Sequence, residues 1–342
     1  MKIKRSIFIY ALALAVAVIA GCAKAPLESW NDGAPAKVAL IEYVASVTDT
    51  GSADYIPVER RIAVFDFDGT LFLETDPTYF DWMLFAHRVL DDPEFLATPE
   101  QTAAAKATRN GVFPPLSRER ERMVSQAYKG MTLGEFDRFV RKFMAEEQPG
   151  FTNLKRGDAF YKPMLEVVNY LRDNGFTVYV ISGTDRLTVR PLLDVLKLPP
   201  RQIIGSDSTI IADKQEKRDA LDYTFTQGDT LILGGENMVK CLQMNKVSAI
   251  VREIGHRPVL AFGNTLSDAS MLNYTIDRNK YRALGFMLLC DDLEREYGNL
   301  KKADKMRRDC ANYGWIPVSM RDDWKTIYGD GVKKRKHPTA KK

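Results

Sequence analysis

The stretch that most limits what this chain can fold into is Arg61-Ile-Ala-Val-Phe-Asp66-Phe-Asp68-Gly69-Thr70-Leu-Phe72, an apolar run that ends abruptly in two carboxylates, a glycine and a threonine. Ile62, Val64 and Phe65, with Ala63 among them, suit a strand covered on both faces of a parallel sheet. Open α/β sheets carry their active sites at the carboxyl ends of such strands. The run therefore predicts a buried strand that delivers an acidic site.

Strand-like and helix-like segments alternate along the rest of the chain without an internal repeat, which predicts an α/β fold with a doubly wound parallel sheet. Helices are expected at 36–46, 119–129, 133–147, 164–174, 187–196 and 246–254, with another starting at Ala269. Thr132 with Glu135 reads as a capping box, and Gly175 as a helix stop. Strands are expected at 176–181, 202–204 and 258–262 and within 281–289. The alternating pattern and turn residues of 208–233 suggest a β-hairpin. The domain reading is a core of 51–75 and 156–342, with a hairpin insertion at 205–233, and a helical domain inserted at 76–155. Asp291 to Lys336 reads as a C-terminal extension, packed through Trp315 and Trp324.

The D-x-D-G-T of Asp66 to Thr70 resembles motif I of the haloacid dehalogenase-like (HAD) hydrolases. Ile-Ser182-Gly183-Thr-Asp-Arg186 matches their motif II position, Asn245-Lys246-Val-Ser stands where motif III places its lysine, and Gly263-Asn264-Thr-Leu-Ser-Asp268 resembles motif IV. A phosphate ester site needs a nucleophile, a neutralising cation, donors for the non-bridging oxygens and an acid for the leaving alcohol. The resemblance assigns Asp66 as nucleophile and Asp68 as general acid and base. Ser182, with the amides of Gly183 and its neighbours at a helix start, would hold phosphate oxygens. Lys246, preferred over Lys240 because it opens the helix leading into the 258–262 strand, would neutralise nucleophile and phosphate.

The family's first motif IV acid is here Asn264. Mg²⁺ takes oxygen ligands and keeps several waters, so an amide oxygen still serves, without charge. The implied metal set is Asp66, Asp68, Asn264 and Asp268, with Asp268 the main second carboxylate, directly or through water. Both motif I acids favour phosphatases over haloacid dehalogenases. The implied activity is a Mg²⁺-dependent phosphomonoesterase acting through an aspartyl-phosphate, in a phosphoserine phosphatase-like branch with a C1 helical cap. Its partner would be a small phosphorylated substrate of phosphoserine or phosphocholine type.

Glu74 sits near where phosphoserine phosphatases bind the substrate ammonium, or is a plain hinge residue. Arg186 contacts substrate or stabilises its loop. Tyr79, Phe80 and Trp82 read as packing, or as an aromatic wall beside a cation such as choline. The competing reading is a non-catalytic HAD-fold lipoprotein that binds a phosphorylated ligand or an envelope partner. Asn264 is the feature favouring it. Phosphotransfer to an alcohol other than water is a third reading.

The N-terminus has a basic start (Lys2, Lys4, Arg5), an apolar run from Ile7 to Ile19 and the small-residue site Ile19-Ala-Gly-Cys22, the pattern of a secretory signal peptide over 1–21. Its ending resembles the bacterial lipobox. That resemblance implies cleavage before Cys22, acyl chains on that residue, a tether over 22–50 and a membrane partner. The expected location is the bacterial envelope, at the periplasmic face of the outer membrane. Of the formal net charge of +4, three positive charges belong to the signal segment. The remainder is near neutral and excludes nucleic acid as the main partner. Cys290 with Cys310 is the expected disulfide in an oxidising compartment.

Overall fold

The computed structural model describes residues 26–336. The signal segment, Cys22 and the residues from 337 lie outside the described residues. Seven strands form one mostly parallel sheet: β1 (Ile62–Phe65), β3 (Thr177–Asp185), β4 (Ile203–Ala212), β5 (Leu231–Val239), β6 (Leu260–Gly263), β7 (Leu284–Leu289) and β8 (Ile316–Ser319). Their spatial order is β5-β4-β3-β1-β6-β7-β8, and β5 alone runs antiparallel, against β4. The chain leaves β1 for β3 on one side and returns to β6 on the other. The carboxyl end of β1 is thus the topological switch point, where open α/β sheets form a ligand crevice.

All of β1 is buried because side chains of alternating residues enter two different cores. Ala63 and Phe65 join one cluster together with Leu40, Tyr43, Val44, Val167 and Leu171, whereas Ile62 and Val64 join the other with Ile250, Met271, Leu272 and Met306. The first cluster is supplied by helices α1 (Pro35–Thr48) and α6 (Lys162–Asp173). On the other face lie α8 (Met244–Ala249), α9 (Ala269–Ile276) and α10 (Leu300–Tyr313). Phe65, Phe262 and Phe286 stack across three neighbouring strands with centroids 4.3 and 4.8 Å apart, fixing the register beneath the acidic site.

Between β1 and β3 stand α2 (Phe80–Leu90), α3 (Pro99–Thr108), α4 (Arg118–Gln126) and α5 (Leu133–Met144). The capping box of Thr132 and Glu135 forms as expected, and Phe136, Val140 and Phe143 make the buried stripe of α5. Phe151–Thr152, inside the expected helical block, is instead strand β2, pairing with β9 (Lys333–Lys334). α7 (Arg186–Leu192) follows β3.

One expectation is extended here and a second, the disulfide, is corrected. The segment beyond Asp291 packs on the core with Trp315 and Trp324 buried, and it also adds to the sheet: α10 lies on it and Ile316–Ser319 becomes its edge strand. Pro317 is tolerated there because an edge strand has one side without ladder partners. Cys290 and Cys310 are buried but free, as is Cys241.

Candidate active site

The chain turns sharply where β1 ends. Asp66 N still donates to Phe262 O at 2.9 Å, one step past the strand, and Gly69, at φ +76°, lets the backbone reverse. Asp66 and Asp68, both nearly buried, face one cavity of about 300 Å³ at the carboxyl edge of the sheet.

Lys246, projecting from α8, is fully buried. Its ammonium contacts Asp66 Oδ1, donates to Ile181 O at 2.7 Å and lies 2.7 Å from Asp268 Oδ1. Burial pulls Lys246 down, but the carboxylates of Asp268 and Asp66 outweigh it and hold the ammonium above its ordinary pKa. Burial and then the Asp268 charge push Asp66 up to about 7, against the pull of Lys246. Asp68 stands well above the usual carboxylate range, through burial first and then the charges of Asp81 and Asp66. A carboxyl raised in this way can hold a proton for a leaving group.

Lys240, the rival cation, lines the same cavity but does not contact Asp66, being paired instead 2.9 Å from Glu121 of α4. Ser182 is not at a helix start. β3 runs on to Asp185, whose side chain caps α7 by accepting from Leu187 N at 2.9 Å, while Ser182 is fully buried and its Oγ accepts from Thr184 N at 3.0 Å. Gly183 and Thr184 form the cavity wall at this point.

Arg186 does not reach the cavity. Its guanidinium is held by Asp207 and by both oxygens of Glu253, at 2.9 and 3.0 Å, so its loop-stabilising reading is the one that survives. Asp268 is likewise turned away, with Oδ2 accepting from the amides of Asn264 and Thr265 at 3.0 and 3.1 Å and Oδ1 on Lys246. In this arrangement its carboxylate orients Asn264, Thr265 and Lys246. Glu74 does line the cavity, but an ion pair of 2.5 Å with Lys302 of α10 offsets its charge.

Sequence reasoning missed three residues. Thr184 Oγ1 donates to Asp68 Oδ2 at 2.7 Å. Asp81 lines the cavity and is raised by burial, against the nearby Lys240. Lys302 comes from far along the chain. Only Thr184 carried a signal, as the hydroxyl beside the motif II glycine. Of the aromatic residues, Tyr79 and Trp82 line the cavity together with Phe113, which stacks on Trp82 at 5.5 Å, while Phe80 packs inward on Phe72 and Phe143.

The chemistry of the donor set fits Mg²⁺. Asp66, Asp68 and Asn264 bring oxygen atoms of the hard type that Mg²⁺ takes to one cavity. No group of three or more His, Cys, Asp or Glu side chains among the described residues is arranged to hold a metal, and Asn264 adds an amide to the two carboxylates of the cavity.

A family model described as haloacid dehalogenase-like hydrolase matches residues 63–273. No curated protein matches the chain. A conserved protein of unknown function from Anaerococcus prevotii DSM 20548 shares the fold, with a TM-score of 0.54 at 14% identity over 86% of this chain and 93% of that one. Cytosolic 5'-nucleotidase IIIB bound to cytidine aligns with a TM-score of 0.47 at 14% identity, over 85% of this chain and 87% of that one. Phosphoserine phosphatase in its apo form aligns at 0.37 and 15% identity, over 74% and 98%.

Proposed function

Since the chain belongs to the haloacid dehalogenase-like hydrolase family, whose model spans residues 63–273, we propose that it is a phosphomonoesterase. The observation that carries this reading is the pair Asp66 and Asp68, two residues apart on one turn, facing one cavity, with Lys246 on the first and Thr184 on the second.

Asp66 attacks phosphorus, a P–O bond forms to its carboxylate, and the P–O bond to the leaving alcohol breaks. Asp68 gives its proton to the departing oxygen through Oδ1, the atom that Thr184 leaves free. In the second half, Asp68 takes a proton from water, which attacks phosphorus and returns Asp66 as a carboxylate. The backbone at Gly183 and the ammonium of Lys246 provide donors and positive charge for the phosphate. Asp66, Asn264 and an oxygen of Asp68 other than the protonated Oδ1 would hold Mg²⁺, which would supply charge neutralisation at the phosphate oxygens.

The substrate is a small ester of phosphoserine or phosphocholine type. Tyr79 and Phe113 with Asp81 favour the quaternary ammonium of the second, Arg120 and Lys240 on the same cavity being paired with Glu121, and the commitment of Glu74 to Lys302 weighs against the first. The four helices between β1 and β3 would act as a cap over this substrate. The N-terminal pattern supports lipid attachment at Cys22 and a place on the periplasmic face of the outer membrane.

Phosphate release from p-nitrophenyl phosphate, phosphoserine and phosphocholine, with Mg²⁺ or EDTA and beside Asp66→Asn, tests the reading. Metal-dependent release abolished in the variant supports it. A folded wild type that releases nothing from these or a wider ester panel overturns it, and favours a non-catalytic binder.

A further inference from the structure

Asn264 departs from the acid of its family's motif, and what surrounds it gives a physical reason. A side-chain carbon built on Gly69 would lie 1.8 Å from Asn264 Nδ2 and 2.6 Å from Glu74 Oε2, so the two side chains converge over that glycine. Glu74 Oε2 is buried and makes no hydrogen bond among the described residues, that to the neighbouring Asn264 Nδ2 included, so the amide is the donor placed to satisfy it, while Oε1 is fixed by Lys302. A carboxylate oxygen is acceptor-only, whereas an amide has one donor end and one acceptor end. Turning Asn264 over, or replacing it by an acid, would set acceptor against acceptor in a buried site, at the cost of an unsatisfied or repelling group.

The geometry points to Glu74, anchored by Lys302, as the positioning residue that sets the amide of Asn264, with Nδ2 toward Glu74 and Oδ1 left for a cation shared with Asp66 and Asp68. Glu74 and Asn264 then form an exchangeable acid and amide pair. The anchor lies beyond the 63–273 span matched by the family model. This rests on the reading of the cavity as a Mg²⁺-binding site, and goes beyond it by giving Glu74 a task other than contact with substrate.

The test is a double-substitution cycle on the full chain, read by calorimetric titration with MgCl₂ and by melting without metal, neither of which needs substrate. Glu74→Gln should weaken Mg²⁺ binding about tenfold, as expected for a residue that orients a ligand. Asn264→Asp should lower the metal-free melting temperature. Combining the two should restore both properties to near wild type. Since Glu74→Gln leaves the half-buried Lys302 without its partner, the Glu74→Gln/Lys302→Met variant serves as the folded control and should show the same loss of Mg²⁺ affinity.

Simple addition of the two single effects in the combined variant overturns the inference. So does an unchanged Mg²⁺ affinity in both variants lacking Glu74, or a wild type that binds no Mg²⁺. A wild type that binds Mg²⁺ and shows the coupling yet releases no phosphate from any ester would leave this pairing standing and remove the phosphatase reading.

Discussion

Lys246 Nζ lies 2.7 Å from Asp268 Oδ1, and both side chains are completely buried. The pair forms a base beneath Asp66, since the same ammonium also contacts that carboxylate. Removing one member of a buried pair leaves an uncompensated charge, at a typical cost of about 3–5 kcal/mol. Asp268→Asn is therefore expected to lower the melting temperature strongly and to reduce kcat through the displaced Lys246. Mg²⁺ affinity should change only a few-fold, because both Asp268 oxygens are already engaged. Calorimetric Mg²⁺ titration of the variant checks this, and loss of all binding would return Asp268 to the metal.

Thr184 lines the cavity and commits its hydroxyl to Asp68. Thr184→Val keeps the shape and deletes the 2.7 Å hydrogen bond to Oδ2. If that bond aims Oδ1 at the leaving oxygen, kcat should fall about tenfold with KM little changed, the pattern of an interaction used in the transition state. Thr184→Ser should recover most of the loss. Steady-state kinetics of the two variants on one ester separates this from a packing effect, which serine would not repair.

The acidic turn was readable because its signals are local: a continuous apolar run, then D-x-D-G-T, with later motifs each after an apolar strand. The caps at Thr132 and the glycine at 175 were readable for the same reason. Ser182 was misplaced because a strand that bulges and runs on through Ser-Gly-Thr-Asp185 looks, in sequence, like a strand followed at once by a helix. Ile316–Ser319 went unseen because four residues containing a proline make a weak strand pattern. Lys302 was out of reach altogether. Its ion pair with Glu74 joins residues far apart in sequence and leaves no periodicity behind.

Free thiols at Cys290 and Cys310 make a direct prediction. Melting in the presence and absence of dithiothreitol should coincide, since the described chain has no disulfide whose loss would relax the unfolded state. Thiol titration in denaturant under non-reducing conditions should count Cys241, Cys290 and Cys310 as free. A reducing agent that lowered the melting temperature would reinstate the pairing.

Glu296 ties the segment before α10 to the loop that carries Glu74. It accepts from Thr75 Oγ1 at 2.8 Å, from Tyr297 N at 2.6 Å and from the Tyr328 hydroxyl. Burial nevertheless pushes its carboxyl up to about 7, from an ordinary 4.5. Folding thus favours the protonated form, so its stabilising contribution is fully present below about pH 4.5 and is lost as pH rises through about 7. A shift of this size corresponds to a contribution on the order of 3 kcal/mol. Urea unfolding of wild type and Glu296→Gln near pH 5 and pH 8 should show the wild type losing stability relative to the variant as pH rises; parallel curves would remove Glu296 as the cause.

The aromatic wall yields the prediction that bears most on substrate. Trp82 is already stacked on Phe113 and has Arg120 5.3 Å over its ring, so Tyr79, half-buried on the same cavity, is the aromatic residue left to receive a cation. An aromatic face attracts a quaternary ammonium with roughly 0.5–2 kcal/mol, more when the site is dry. Phosphocholine should therefore have a lower KM than 3,3-dimethylbutyl phosphate, which has the same shape without the charge. Tyr79→Leu should raise KM for both, through lost aromatic contact, and should narrow the gap between them, because only the charged ester loses its cation–π term. If the two esters keep the same KM ratio in the variant, the ammonium is recognised elsewhere, and Asp81, the carboxylate on the same wall, becomes the residue to substitute next.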